Sequence, residues 1–185
     1  TAGFYQTKMV ATSDAGCNDS VTKTVQAFTA PSARFTASNV CDNESMSFNN
    51  LSSSASSYAW NFGDMSGSAT STAPSYTYST DGSYDVELIA STSNGCVDTF
   101  TSQVSVYRLP SAAFSASSVC DGESVVFSNS SSGASSYSWS YGDGQGSALS
   151  APKHTYATSG SYTVELIATS SNSCNDTVSN SVTVN

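Results

Sequence analysis

Five cysteines recur at two kinds of position in the chain. Cys41 and Cys120 each stand shortly before an apolar segment, and Cys17, Cys96 and Cys174 each stand at the start of a longer alternating segment. We call the first two the early cysteines and the other three the late cysteines. Regularly placed thiols are typical of disulfide bonds in proteins of oxidising compartments. The spacing therefore indicates cross-linking chemistry.

Two aspartates, Asp64 and Asp143, follow a glycine at the end of an aromatic segment. An aspartate in a turn accepts hydrogen bonds from backbone amides, and the sequence favours this structural role. A loop carboxylate can also bind calcium, so both are weak calcium candidates, although no segment has the spacing of a dedicated calcium loop. We expect no other metal or cofactor, because the only histidine, His154, has no partner at zinc-binding spacing.

Catalytic machinery is not expected in this chain. The sequence contains no G-x-S-x-G motif. No nucleophile, base and orienting residue can be assembled from the repeated segments. We therefore predict no catalytic residue and no enzymatic activity.

The elements that would position these groups are strands rich in aromatic residues. The segment Tyr-Ala-Trp-Asn-Phe-Gly-Asp at 58–64 returns as Tyr-Ser-Trp-Ser-Tyr-Gly-Asp at 137–143. Rings at every second position lie on one face of a β-strand, so they are expected to fill a core and not to form an exposed sugar-binding platform. The expected core aromatics are Tyr58, Trp60, Phe62 and Tyr84, with their counterparts Tyr137, Trp139, Tyr141 and Tyr162.

The chain is a tandem repeat with a period close to 79 residues, the distance from Trp60 to Trp139 (139 − 60). Similarity between the ends of the units predicts three parts: 1–30, the last two strands of a truncated module, and complete modules at 31–108 and 109–185. Proline at both junctions indicates short, stiff linkers. In the first complete module, alternation predicts strands at 34–38, 45–50, 58–62, 74–78, 84–90 and 96–106, with a short edge strand within 65–73.

The motifs YxWxFGD, Pro-x-x-Tyr and GxYxVxL, taken together, resemble the PKD domain, an immunoglobulin-like β-sandwich of extracellular and cell-surface proteins. The resemblance covers nearly the whole chain. It implies an all-β fold of tandem immunoglobulin-like sandwich modules arranged end to end. The paired cysteines add a likeness to the repeat arrays of large cell-surface and adhesin proteins of Bacteroidota.

Two disulfide pairings are open under this resemblance. Cys41 could bond Cys96, and Cys120 could bond Cys174, within modules; alternatively, Cys41 could bond Cys174 between modules. An immunoglobulin-like topology puts the early and late cysteines of one module at opposite poles, too far apart for the Cα separation of about 4.4–6.8 Å in disulfides. This slightly favours Cys41–Cys174, and Cys17, Cys96 and Cys120 would then lack partners because the sequence is a slice of a longer array.

A second recurring triplet is Asp-Ser/Thr-hydrophobic, at 19–21, 98–100 and 176–178. It resembles the sequon at which Bacteroidota O-glycosylate secreted proteins. The resemblance implies glycans on Ser20, Thr99 and Thr177. Ordinary strand alternation explains the same pattern equally well.

The composition of the chain excludes some classes of function. The chain has 14 acidic and 5 scattered basic residues, which excludes a phosphate-binding surface for nucleic acid. No apolar run in this slice is long enough to span a membrane. We expect a non-enzymatic extracellular rod, stalk, filament or adhesin segment, whose partners are neighbouring repeats and, in a filament, other copies. The alternative is an accessory carbohydrate- or protein-binding module of a secreted hydrolase.

Overall fold

The computed structural model describes residues 2–185, and this part of the chain is all-β. It consists of a β-hairpin followed by two copies of an immunoglobulin-like β-sandwich. The all-β tandem sandwich fold expected from the sequence is confirmed. Within residues 2–185 there is no helix that could cross a membrane.

The hairpin pairs β1 (Gly3–Thr12) with β2 (Asn18–Ala27) in antiparallel register, from Gly3 opposite Ala27 to Thr12 opposite Asn18. Regular antiparallel pairing begins directly after the turn, where Asn18 and Asp19 lie opposite Thr12 and Ala11. Apolar side chains of the hairpin are exposed, with Phe4 73% and Met9 65% accessible.

The first sandwich places two sheets face to face. One has the order β4-β10-β9-β6-β7 and the other β3-β5-β8. Its strands are β3 (Phe35–Ala37), β4 (Val40–Cys41), β5 (Met46–Asn50), β6 (Ser57–Asn61), β7 (Ser68–Ala69), β8 (Ser75–Tyr76), β9 (Gly82–Ser91) and β10 (Val97–Tyr107).

The second sandwich repeats this topology. Its larger sheet has the order β15-β14-β17-β18, and the opposite layer is divided into the pairs β11-β13 and β12-β16. Its strands are β11 (Phe114–Ser115), β12 (Ser124–Val126), β13 (Ser128–Asn129), β14 (Ser136–Ser140), β15 (Gly146–Ser147), β16 (Lys153–Thr155), β17 (Gly160–Thr169) and β18 (Asn175–Val184).

Aromatic rings fill both cores. Trp60 is 2% exposed and Trp139 3% exposed, and each indole N–H donates to a backbone carbonyl, of Ser71 at 3.0 Å and of Leu149 at 2.9 Å. Phe35 packs edge-on against Trp60, and Phe114 against Trp139, with ring centroids 5.1 Å apart in both cases. These two tryptophans lie at the centre of their sandwiches.

Four of the expected core tyrosines lie at the rim instead. Tyr58, Tyr84, Tyr137 and Tyr162 are only half-buried, whereas Phe62 and Tyr141 are buried as expected. Tyrosine keeps its hydroxyl near water or a polar partner. The hydroxyl of Tyr162, for example, donates to the carbonyl of Thr158 at 2.8 Å. The cores also contain buried residues outside the expected list: Phe35, Met46, Phe48 and Tyr78 in the first sandwich, and Phe114, Val125, Phe127 and Tyr156 in the second.

Spatial proximity divides the chain into two compact units whose limits differ from those of the sequence repeat. The first contains the described residues up to Ser38 together with Ser45–Thr77 and Ser83–Val104. The second contains Asn39–Glu44, Tyr78–Gly82 and Ser105–Asn185. The loop that carries Cys41 therefore belongs to the same compact unit as the second sandwich.

Candidate functional site

The candidate functional site is the disulfide bond that cross-links Cys41 and Cys174. The sulfur atoms are 2.04 Å apart and the Cα atoms 5.7 Å apart, and 133 positions separate the two residues in sequence. Both cysteines lie in the second compact unit. Of the two pairings left open by the sequence, the structure has the bond from an early cysteine to the late cysteine of the next repeat.

The early cysteine is held by a short strand and an acidic turn. Residues Val40 and Cys41 pair in parallel with Val106 and Tyr107 at the end of β10. The amide of Cys41 donates to the Glu44 carboxylate at 2.9 Å, and the amide of Glu44 donates back to the Cys41 carbonyl at 3.1 Å. The backbone of Cys41 is therefore held by its strand pairing and by both hydrogen bonds of the turn.

The late cysteine ends a tight turn between the last two strands. The amide of Cys174 donates to the Ser170 hydroxyl at 3.2 Å, and the amide of Ser170 donates to the Cys174 carbonyl at 2.8 Å. Cys174 is 1% exposed. Both cysteines thus lie beside turns that are closed by hydrogen bonds.

The remaining three cysteines are unbonded. Cys17 and Cys120 are exposed, and Cys96 is half-buried. The alternative bonds Cys41–Cys96 and Cys120–Cys174 are not present, because Cys41 and Cys174 are joined to each other.

Asp64 stabilises the turn that follows the tryptophan strand of the first sandwich. Its carboxylate accepts hydrogen bonds from the amides of Ser66 at 3.1 Å and Gly67 at 2.8 Å, from the Ser66 hydroxyl at 3.0 Å and from the Tyr76 hydroxyl at 2.5 Å. Partial burial raises the pKa of Asp64, but the hydrogen bonds from Tyr76, Gly67 and Ser66 outweigh it and lower this pKa to about 2.

Asp143 occupies the same place in the second sandwich. Its carboxylate accepts from the Gln145 amide at 3.0 Å and lies 2.7 Å from Nε2 of His154. Burial opposes its ionisation, but the Gln145 amide and His154 lower the pKa of Asp143 below its ordinary value. His154 stacks on Tyr141 with centroids 4.1 Å apart, as Tyr76 stacks on Phe62 at 4.2 Å.

The glycine before each of these aspartates is required by geometry. Gly63 and Gly142 have φ angles of +81° and +83°. A Cβ atom at Gly63 would lie 2.5 Å from the Asp85 carbonyl oxygen, and one at Gly142 would lie 2.6 Å from that of Thr163. The Gly-Asp pair is thus a structural turn in both sandwiches.

Calcium at Asp64 and Asp143 stays a prediction. In the part of the chain that the structure describes, no group of three or more histidine, cysteine, aspartate or glutamate side chains is placed to hold a metal ion. The hydrogen bonds described above supply a structural role for both carboxylates.

The triplet aspartates have a structural role that the sequence did not indicate. The carboxylate of Asp98 accepts the amide of Ala33 at 2.8 Å, and that of Asp176 accepts the amide of Ala112 at 2.8 Å. Each aspartate thereby ties the last strand of its sandwich to the segment before the first strand. The hydroxyl-bearing residues Ser20, Thr99 and Thr177 are exposed, and O-glycosylation at these positions stays a prediction.

Fold and cross-link together define a class of protein, tandem immunoglobulin-like sandwiches with a disulfide between successive repeats. The PKD domain matches residues 28–106 and again residues 108–184. The chain belongs to the PKD domain family, as the sequence motifs indicated. PKD domains are generally non-catalytic modules.

Solved structures similar to this chain include single PKD domains. The PKD1 domain of Vibrio anguillarum Epp is 32% identical over 43% of this chain and 96% of that domain, with a TM-score of 0.39. The PKD1 domain of the Vibrio cholerae metalloprotease PrtV is also 32% identical, over 43% of this chain and 99% of that domain, with a TM-score of 0.38. The fibronectin(III)-like modules of Clostridium thermocellum CbhA are 16% identical over 82% of this chain and 93% of that one, with a TM-score of 0.45. No curated protein sequence matches the chain.

Proposed function

We propose that this chain is a non-enzymatic segment of an extracellular repeat array, acting as a load-bearing spacer in the rod of a stalk, filament or adhesin at a cell surface. The observation that carries the proposal is the disulfide between Cys41, in the first PKD match, and Cys174, in the second. A covalent bond between successive repeats serves an array that must stay intact under tension.

The same bond supports an extracellular location. Structural disulfides persist in oxidising compartments and are rare in a reducing cytosol. The formal net charge of −9 adds mutual repulsion between copies, which favours solubility over lateral clumping.

The distribution of aromatic rings favours a spacer over a sugar-binding module. Sugar platforms need exposed rings, whereas beyond residue 30 every tyrosine, phenylalanine and tryptophan is buried or half-buried. The exposed aromatics among the described residues are Phe4, Tyr5 and Phe28, all in the hairpin segment. The loops of the two complete sandwiches present serine, glycine and asparagine instead.

Stretching single molecules held at the two ends of the chain tests the spacer role. With the disulfide intact, the residues between Cys41 and Cys174 are shielded from force. Reduction should therefore lengthen the fully extended chain by roughly 440–480 Å, the reach of 133 residues at about 3.3–3.6 Å each. The C41S/C174S double variant should show the long extension without reductant.

An equal extension in oxidised and reduced samples would show that the bond bears no load, and the spacer proposal would be wrong. Binding of the chain to insoluble polysaccharides in a pull-down would instead favour an accessory role in a secreted hydrolase. A C96S variant, which leaves the disulfide in place, is the matched control for the stretching measurement.

A further inference from the structure

The disulfide closes a covalent loop that contains most of both sandwiches. Residues 42–173 lie inside the loop, whereas the segment 31–40 and the strand β18 lie outside it. A force applied to the two ends of the chain reaches Cys41 along the first of these segments, crosses the sulfur–sulfur bond and leaves Cys174 along β18. The two repeats are thus connected by a short branch through sulfur and a long branch through the peptide chain.

The peptide linker between the repeats belongs to the long branch. Residues 108–110 connect β10 to Ser111, which forms a bridge with Ser132; each of these serines donates its amide to the carbonyl of the other at 2.9 Å. All of them lie between Cys41 and Cys174 in sequence. Because the branch through sulfur is the shorter one, it becomes taut first and keeps tension away from the linker.

The strand β18 has no slack to give up under load. It is a ten-residue strand paired with β17 over its whole length, from Asn175 opposite Thr169 to Val184 opposite Gly160. A strand rises about 3.3–3.4 Å per residue, close to the limit of about 3.3–3.6 Å for a fully extended chain. Cys174 directly precedes this strand, so tension enters β18 at one end and leaves it at the other. The strand can therefore transmit tension while it stays in the sheet.

The segment before Cys41 is also extended over most of its length. Ser32 pairs with Ser53, and β3 continues the same antiparallel register with β5. Next to the cysteine, Val40 pairs with Val106. Backbone pairing therefore holds this segment near both of its ends.

Between β3 and β4, Asn39 is held by its side chain. Its Oδ1 accepts the amide of Ser105 at 2.8 Å, and its Nδ2 donates to the Tyr107 hydroxyl at 2.8 Å. Both partners belong to β10. This part of the segment therefore also has little freedom to lengthen.

We propose that tension passes from one repeat to the next through the Cys41–Cys174 bond and the two segments that it joins, and that the linker at 108–110 stays relaxed until a small thiol reduces the bond. Reduction moves the load to the linker and to the sandwiches inside the loop. The redox state of the bond thus determines which elements bear load. The proposal rests on the spacer function, because only a chain under load has a path of tension.

A small thiol such as glutathione performs the reduction. Cys41 is half-buried, whereas Cys174 is 1% exposed, so the glutathione thiolate attacks the Cys41 sulfur. A bond forms between glutathione and Cys41, and the Cys174 thiolate leaves with the electron pair and takes up a proton. A second glutathione thiolate then attacks the sulfur of the bound glutathione and releases the Cys41 thiolate, which is protonated in turn. Both protein sulfurs are reduced, and two glutathione molecules are oxidised to one glutathione disulfide.

Two insertion variants of the whole chain, stretched by terminal tags, test the path of tension. An insert of about 20 glycine and serine residues adds about 66–72 Å to a fully extended chain. It is placed between Arg108 and Leu109, inside the loop, or between Ala30 and Pro31, outside it. With the bond intact, we expect only the outside insert to lengthen the chain. After reduction, both inserts should lengthen it by the same amount.

The outcomes separate this proposal from the spacer function. If the linker insert lengthens the oxidised chain as much as the outside insert does, the path through sulfur is wrong, although the spacer function stands as long as reduction lengthens the unmodified chain. Besides opening of the hairpin, the oxidised chain should show no lengthening step. A further step would mean that β18 or the segment before Cys41 detaches, and this too would overturn the proposal.

The rate and site of reduction provide a second test on the unmodified chain. Under constant tension, reduction by glutathione should become several-fold faster as the force rises, because tension lowers the barrier for breaking a bond that bears it. A rate that does not change with force would contradict the proposal. In an unstretched sample quenched with acid, peptide mapping should find glutathione on Cys41, and glutathione on Cys174 instead would refute the assigned direction of attack.

Discussion

The hydroxyl of Tyr76 donates a hydrogen bond to the carboxylate of Asp64 at 2.5 Å, and in the second sandwich His154 makes the equivalent contact with Asp143 at 2.7 Å. Two chemically different rings thus perform one task. Each ring is planar, stacks on the aromatic residue before the Gly-Asp turn and presents a polar atom at its far end. The pair locks the turn to the opposite sheet.

Replacing Tyr76 with phenylalanine should loosen this turn while keeping the stack on Phe62. A hydrogen bond to a charged group contributes about 1.5–3 kcal/mol, so we expect a loss of that order in local stability. Hydrogen exchange should show lower protection of the Ser66 and Gly67 amides. Tyr76→His, which copies the second sandwich, is the matched control and should lose less; equal losses in both variants would contradict the assigned role of the hydrogen bond.

Acid should weaken the same turn through Asp64. The folded pKa of about 2 lies below the ordinary value of 3.8, so the ionised carboxylate stabilises the fold fully above the ordinary value, and this stabilisation is lost as the pH falls towards 2. Thermal unfolding followed across that range should show a falling Tm. The Asp64→Asn variant should have a smaller dependence on pH there, because the titrating group is gone; an unchanged slope would mean that other carboxyl groups cause the loss.

Removing the disulfide should destabilise the second compact unit. Closing a loop of 133 residues lowers the entropy of the unfolded chain, which corresponds to about 5 kcal/mol in the chain-entropy treatment. We expect the C41S/C174S variant to unfold at a clearly lower urea concentration, with a loss of about 3–5 kcal/mol. The C96S variant should unfold like the parent chain, and a comparable loss in C96S would mean that the effect does not come from the bond.

Glycosylation at the triplets is testable on protein from its native source. If the sequon interpretation is correct, mass spectrometry will find added sugar mass on Ser20, Thr99 and Thr177, which are all exposed. Thr101 is the matched control, because it is exposed on the same strand as Thr99 but has no aspartate before it. Unmodified triplets would leave Asp98 and Asp176 with the structural role that their hydrogen bonds to Ala33 and Ala112 already explain.

The long strands were predictable because one physical signal dominates them. In β9, the alternate residues Val86, Leu88 and Ala90 are buried. Alternation of apolar and polar residues with a period of two can be read directly from the sequence. The short strand Val40–Cys41 was not predicted, since two residues carry no periodicity and their partners Val106 and Tyr107 are distant in sequence. The tyrosine at the rim of each core has the same alternation as a buried residue, and only its hydroxyl distinguishes it.

The candidate site was accessible to sequence reasoning in part. The recurrence of the early and late cysteines indicated cross-linking, and the opposite poles of an immunoglobulin-like topology slightly favoured Cys41–Cys174, the bond that the structure contains. The hydrogen bond from the Ala33 amide to the Asp98 carboxylate could not be predicted from the sequence. An aspartate that anchors a linker and an aspartate in a glycosylation sequon are the same residue type, so the sequence does not distinguish the two roles.

The loop Asn39–Glu44 belongs by sequence to one repeat and by proximity to the compact unit of the next. The boundaries of the sequence repeats and of the compact units therefore do not coincide in this chain. Recombination that replaced the first repeat at its sequence boundary would also replace the loop Asn39–Glu44, which belongs to the second compact unit. Cys174 would then form its disulfide only if the new repeat also had a cysteine at position 41. Selection should consequently act on adjacent repeats in pairs. The residues on the two sides of each junction should be preserved together, even where the rest of each repeat diverges.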